Sequence, residues 1–353
     1  SDTAIYDSTL LPAHSYTYQT ILKRKGFDLA KSEMVNIATM DTTSHEFTWE
    51  RYTIESPYGS ALLWDVAIVS PTDIWAVGMI GRDSIQITNA LHWNGNEWEL
   101  EKIPYIYHGD IWYLPLHSIY VFSSNNIWFE AGINWDGHSF NTIVLNINFP
   151  SNVNRMWGTS SNDLYIVGND GNIGYHTGDY WYKVDSGTDL DFQDIWGAID
   201  RKTGRQQVLA VAFNPYENDT AVVVQIDKNR VSRVQSAGLP RTLNGAWSPD
   251  GRQWYVCGDG IYNTRSFSKP WKRDESAPAA YKECIRGNGI NDIIVVEHGG
   301  QISHWNGYSW RTFTGMSGMY YGLAVKGNLV VAVGQRSSGF IGGPASIVMG
   351  RRE

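Results

Sequence analysis

Cysteine is all but missing from this chain, with two residues, Cys257 and Cys284, in 353. Two thiols cannot build a disulfide framework or a four-ligand zinc site. They read as two buried free thiols, with a single disulfide as the alternative. Long apolar runs are missing as well: no stretch approaches the ~18 residues of a membrane-crossing helix, so direct membrane insertion is not expected. No leader-like segment opens the sequence, which says little about compartment when the start reads "SDTAIYDSTLLPAHSYTYQ". Basic runs are short, none longer than Lys23 to Lys25, and the formal net charge is -8. Binding to a phosphate backbone needs clustered Lys and Arg, so no nucleic-acid partner is expected. Phosphate loops, dinucleotide fingerprints and a Ser-His-Asp order are also missing, and with them any reason to expect a cofactor.

The sequence is rich in glycine (35), tyrosine (20) and tryptophan (16) and carries only 18% charged residues. That balance suits short strands joined by tight turns, an all-β chain. Repeats bear this out. The runs "TDIWAVG" (72–78), "NNIWFEAG" (125–132), "NDLYIVG" (162–168), "RQWYVCG" (252–258), "NDIIVVE" (291–297) and "GNLVVAVG" (327–334) share one register. Each follows a polar turn, and another apolar run precedes it, as in "LWDVAI", "HSIYVF", "VNRMWG", "LNGAWS", "KECIRG" and "YYGLAV". "FQDIWG" (192–197) adds a copy whose partner "QQVLAVAF" is displaced by an insertion. Downstream lie paired runs around Asn-Gly or Asp-Gly, giving four strands per unit. First strands near 62, 117, 152, 192, 243, 282 and 320 recur at a propeller-blade period. The last unit ends one strand short, and "FTWERYTIE" (47–55) stands ahead of the first with nothing to pair with. The expectation is a seven-bladed β-propeller of four-stranded blades over 47–353, closed by pairing strand 47–55 with the last blade.

The heptapeptide "HWNGNEW" (92–98) returns as "HWNGYSW" (304–310). Asn-Gly predicts a two-residue type I′ hairpin with positive φ at both central positions, at Asn94-Gly95, Asp136-Gly137 and Asn306-Gly307, with Thr177-Gly178 as a weaker copy. Trp93, Trp98, Trp305 and Trp310 flank these turns in register, which marks them as packing elements between blades. His92 and His304 occupy equivalent places in separate blades and cannot share one ion, "GNDGN" (168–172) reads as a plain turn, and no metal site is assigned.

The motifs "D-I-W-A-V-G" and "W-N-G-x-x-W" resemble those of bacterial surface propellers, distantly similar to Kelch and to photosystem assembly-factor-like propellers. They specify the blade and leave the activity open. Residues 1–43 carry a second resemblance. Leu10, Pro12 and Tyr16 have the L-x-P-x-x-x-Y spacing of the tyrosine corner of a fibronectin type III domain, and "SEMVNIATM" is similar to that domain's last strand. Only the C-terminal part of such a sandwich would be present. The chain is therefore expected to begin inside a longer multidomain protein, and the resemblance implies an extracellular or cell-surface setting.

Residues that break the repeat are the candidates for function. The connection "EKIPYIYHGDIWYLPLH" (101–117) gathers Tyr105, Tyr107, His108, Asp110, Trp112 and Tyr113, an aromatic platform for a sugar ring or a partner's side chains. Three further insertions, 80–88, 213–220 and 335–346, contribute Arg82, Asp83, Tyr216, Glu217 and Arg336. Asp65, Asp194 and Glu283, near first-strand starts, are expected at the axial channel, where two carboxylates at the right separation would permit acid-base chemistry. The primary reading is a non-catalytic binding or scaffolding module that recognises a glycan or protein surface through loops of one face. The alternative is a carbohydrate-active propeller enzyme.

Overall fold

A computed structural model of the chain describes residues 7, 10–56, 59–81, 87–145, 149, 152–200, 203–214, 221–316, 318–336 and 343–353. Arg82, Asp83, Tyr216 and Glu217 lie outside the described residues. The rest is all-β apart from one 3-10 turn at Glu130–Gly132.

Seven four-stranded antiparallel meanders form a β-propeller. The inner strands are Ala61–Ser70, Ile119–Ser123, Val153–Ser160, Phe192–Ile199, Leu243–Trp247, Lys282–Gly289 and Met319–Lys326. In blade 1 the following strands are Asp73–Ile80, Thr88–Trp93 and Trp98–Glu101. Blade 7 is built from both ends of the propeller sequence. Its first three strands come from the C-terminus, and Phe47–Ile54 supplies the fourth, pairing along its whole length with Ala345–Arg352. Without that strand, Ala345–Arg352 would present an open edge and the ring an unpaired seam.

Both faces of each blade are apolar because each packs on a neighbour. Blades 7 and 1 share one core, in which Val331, Val333, Ile347 and Met349 meet Leu63, Ile74, Leu91 and Trp93. Tyr52 of the closing strand lies 5.5 Å from the ring of Trp93. The recurrent tryptophans are directly opposed cross-strand pairs, Trp93 with Trp98 and Trp305 with Trp310, and both pairs sit at 5.7 Å between centroids. Trp135–Phe140 and His176–Trp181 repeat the arrangement in blades 2 and 3. They are structural, and each contributes to the seam between blades.

The turns between these pairs are not of type I′. Trp93 pairs with Trp98, so four residues are looped out, and only Gly95 has positive φ (98°), while Asn94 does not. The asparagine acts through its side chain: Asn94 Oδ1 accepts from the N–H groups of Asn96 (2.9 Å) and Glu97 (3.1 Å). Asn306 does the same for Tyr308 and Ser309, and Asp136 for His138 and Ser139. Those N–H groups, Ser139's first, hold the Asp136 carboxyl down to about 2. The side-chain oxygen replaces the second positive-φ residue as the device that reverses the chain. The glycine is also needed for space, since a Cβ at Gly307 would lie 2.7 Å from Asn291 Cβ.

Ahead of the ring, Ser15–Tyr18 pairs with Val35–Ala38 and Ile21–Arg24 with Phe27–Lys31, an extended ribbon turning at Lys25 and Gly26. Leu11 N–H donates to Tyr16 Oη at 2.7 Å. The segment between ribbon and ring is fastened to blade 6. Thr43 N–H donates to Asn306 O, Asn291 Nδ2 to Asp41 O, and His45 Nδ1 lies 2.8 Å from His304 Nδ1. His304 is fully buried and its Nε2 donates to Asp292 Oδ1 (3.0 Å), which leaves its Nδ1 to accept from His45. Cys257 and Cys284, on neighbouring blades, are buried free thiols, and burial pushes both thiols up.

Candidate functional site at the axial mouth

The inner strands carry the same irregularity at their starts. The pairing slips by one residue between Leu63 and Asp65, Val153 and Arg155, Phe192 and Asp194, Leu243 and Gly245, Lys282 and Cys284, and Tyr320 and Gly322. The residue left over in such a bulge is unpaired and turned out of the ladder. Here it is Trp64, Asn154, Gln193, Asn244, Glu283 and Tyr321, and His117 holds the same place in blade 2. All seven are half-buried between buried or nearly buried neighbours, and all seven line one cavity of about 340 Å3 on the axis. Arg155, Asn169, Asp191 and Phe213 complete its wall.

Within this mouth the rings of Trp64 and His117 lie against each other, 4.1 Å between centroids and tilted by 33°. His117 is oriented by Glu130, whose Oε2 accepts from both the ring Nδ1 (2.8 Å) and the backbone N–H. Asn154 Nδ2 donates to Asn169 Oδ1 (2.6 Å) and Phe192 O. Asn244 Nδ2 donates to Glu283 Oε2 (2.9 Å), and His298 Nδ1 meets Glu283 Oε1 at 3.0 Å. Asp191 Oδ1 accepts from Asp170 N–H.

Below the mouth the channel is closed by charge. Arg286 grips Asp194 with two bonds (2.8 and 2.9 Å) and lies over the Trp196 ring. Arg155 reaches Tyr321 O (2.7 Å) and Asn154 O (2.8 Å), with Nε 4.0 Å from Asp194. The carboxylates expected to face the channel are there, but they are occupied. Asp194 Oδ2 accepts from Ala246 N–H of the next blade, and Asp65 Oδ2 from Ile119 N–H of the next blade. Burial raises the Asp65 carboxyl, opposed first by Arg155. These two aspartates stitch blade to blade, whereas Glu283, one register position earlier, belongs to the mouth. Beyond this plug the other end of the channel is a smaller space of about 280 Å3 among Ala67, Tyr120, Trp196 and Ala324, at which Lys326 Nζ donates to Val69 O.

The aromatic connection folds into a hairpin of its own, Tyr105–Tyr107 against Asp110–Trp112, with His108 in the left-handed region at its tip. Ile106 N–H donates to Thr142 Oγ1, which seats the hairpin on the outer strand of blade 2, away from the axis. Tyr107, Ile111 and Trp112 are exposed, Trp112 by 55%. Lys102 Nζ lies 5.4 Å from the Tyr113 centroid. Arg336 is exposed on the connection between the second and third strands of blade 7. In these meanders the connections from second to third strand, and from each blade to the next, leave from the mouth end. The candidate loops therefore belong to that end, but the structure does not bring Arg336 and the hairpin into one site.

The mouth itself was missed by a reading centred on loops. Its signal was in the first-strand runs: aligned on their bulges, "LWDV", "LHSI", "VNRM", "FQDI", "LNGA", "KECI" and "YYGL" carry W, H, N, Q, N, E and Y at one position. A second grouping was missed because His92 was weighed only against His304. Its ligand atoms lie within 4.8 Å of those of Glu99 and Glu101, the sole such trio of His, Cys, Asp or Glu among the described residues. A larger cavity, about 490 Å3 around Asp250, Trp254 and Arg265, lies at the turn end of blade 5, away from the axis.

No family model matches the chain, and no curated protein matches it. Solved structures do. A YCF48 bound to a D1 peptide aligns with TM-score 0.61 at 15% identity, covering 86% of this chain and 97% of that one. The WD40 β-propeller domain of Doa1 aligns with TM-score 0.60 at 13% identity over 86% and 96%. YCF48 from Cyanidioschyzon merolae gives 0.59 at 12% over 85% and 98%. At these identities the shared property is the fold, and the chain is a seven-bladed β-propeller.

Proposed function

We propose that this propeller is a non-catalytic recognition module that receives a segment of a partner protein at the axial mouth, with the Tyr105–Trp112 hairpin as an outlying contact. The observation that carries the reading is the ring of seven residues, one from each blade, six at bulges and His117 at the matching place, that line one mouth together above a plugged channel. A pocket with convergent polar and aromatic groups at its rim is where a ligand gains most from burial. One propeller of the same fold is known bound to a peptide, which favours a peptide-like occupant here. The Leu11–Tyr16 hydrogen bond is of the kind a tyrosine corner makes and supports our reading of a fibronectin-like ribbon, with which an extracellular or surface setting agrees.

A glycan occupant, and with it the carbohydrate-active alternative, draws on Asp191 and Glu283, the two carboxylates of the cavity wall. The intact chain is to be screened on peptide and glycan arrays, and each hit re-measured with Trp64→Ala, with the Tyr107/Trp112→Ala pair, and with a turn-end control, Tyr308→Ala. Peptide hits weakened by the mouth variant support the reading. Hits that respond only to the control variant overturn it, and turnover of a bound glycan transfers the site to the enzyme reading.

A further inference from the structure

The chemistry of the mouth points to its occupant. We infer that the pocket selects a cationic side chain, lysine or arginine, at the tip of the bound segment; this deepens the recognition reading above and rests on it. The charges of the channel plug balance among themselves. Arg155 and Arg286 face Asp65 and Asp194, and the Arg155 guanidinium, at the floor of the mouth, is held by the carbonyls of Asn154 and Tyr321. The wall's remaining carboxylates, Asp191 and Glu283, are not balanced in this way. Among the described residues Glu283 has only His298 as an ion-pair partner, and neither carboxylate is paired with a lysine or arginine.

The rest of the wall suits a cation equally well. Trp64, Phe213 and Tyr321 offer ring faces, and a cation over an aromatic face is held by the ring quadrupole. Asn154, Gln193 and Asn244 offer amide oxygens, acceptors for N–H donors. The surroundings have the same sign. The connections at this end expose Asp170, Asp185, Asp189, Asp259 and Glu275, while Lys102, Arg241 and Arg336 are the lysines and arginines in their described parts. Such a field draws a basic segment in and repels an acidic one. A cavity of about 340 Å3 is of a size to admit one long side chain with its backbone resting on the rim.

The test is selection of a random 12-residue peptide display library on the intact chain. Lysine or arginine should be enriched at one fixed position. Selected peptides, remade and fluorescently labelled, should lose about tenfold or more in affinity when that residue becomes Glu, and a similar factor against Asp191→Asn/Glu283→Gln. Those substitutions keep the acceptor oxygens used by Asp170 N–H and Asn244, so an unchanged melting curve should accompany the loss. Affinity should also fall with added salt. Peptides that select without a basic position, yet are lost with Trp64→Ala, would overturn the cation and leave the recognition face standing. Peptides indifferent to every mouth variant, or no selection at all, would overturn both.

Discussion

Replacing Asp194 with alanine should be among the most damaging single changes outside the tryptophan pairs. The carboxylate is 1% exposed and serves three donors: two bonds from Arg286 and one from Ala246 N–H at 3.0 Å. Its removal leaves a guanidinium, itself 11% exposed, without its counter-charge. Breaking a buried ion pair from one side costs about 3–5 kcal/mol, and the orphaned N–H adds about 1 kcal/mol. Against a total stability of roughly 5–15 kcal/mol this is a large fraction. Chemical denaturation and calorimetry of the folded chain should show it as a midpoint loss with little change in slope. The double variant Asp194→Ala/Arg286→Met removes the stranded charge as well and should recover most of the loss. If the single variant costs under about 1 kcal/mol, or the double variant is no better than the single, Asp194 is not the partner that makes Arg286 tolerable, and the closed-channel description fails.

Removing residues 1–56 takes away the fourth strand of blade 7, so the melting temperature should drop sharply and aggregation through the exposed Ala345–Arg352 edge should appear in light scattering; an unchanged melting curve would refute ring closure. Gly95→Val should destabilise by more than about 1 kcal/mol in urea, because φ at this position is 98° and a Cβ would lie 3.0 Å from Thr72; a neutral result would refute the turn geometry. The His45 imidazole is pushed down to about 4, chiefly by burial and next by His304. Its folded pKa lies below the unfolded value, so the unfolded chain binds the extra proton first and stability falls as pH drops from about 6.5 towards 4. The side chain is half-buried, and solvent screening reduces the loss to about 1 kcal/mol; His45→Gln should flatten urea midpoints across that window. Trp93→Ala should cost about 3–5 kcal/mol, whereas Trp112→Ala should leave the melting curve nearly unchanged. Equal effects would erase the distinction between repeated and unrepeated aromatics.

Blade architecture was legible because each repeat states the same local physics several times. Alternating apolar runs, a polar turn and an Asn-Gly or Asp-Gly pair recur in register, so chance matches cancel. The turn type was not legible. Asn-Gly fits both a two-residue loop and a four-residue loop capped by the asparagine oxygen, and only the pairing of Trp93 with Trp98 separates them. The channel aspartates were found but their employment was not, since a hydrogen bond to the next blade's N–H depends on how blades are stacked. The mouth lay in a single position per strand, bulged in six of the seven blades, and a bulge is a property of pairing that no single strand's sequence displays. Clustered aromatics drew attention to the 101–117 connection, whereas the seven residues of the mouth are separated by between 37 and 53 positions along the chain from Trp64 to Tyr321.

Amide hydrogen exchange of the chain with and without its selected peptide partner tests the central claim most directly, because it reports which end of the ring is covered. New protection is expected at the first-strand starts, around Trp64, His117, Asn154, Gln193, Asn244, Glu283 and Tyr321, and none at the four-residue turns of residues 94–97, 136–139 and 306–309. Protection confined to those turns, or to the outer strands with the mouth unchanged, would contradict that claim.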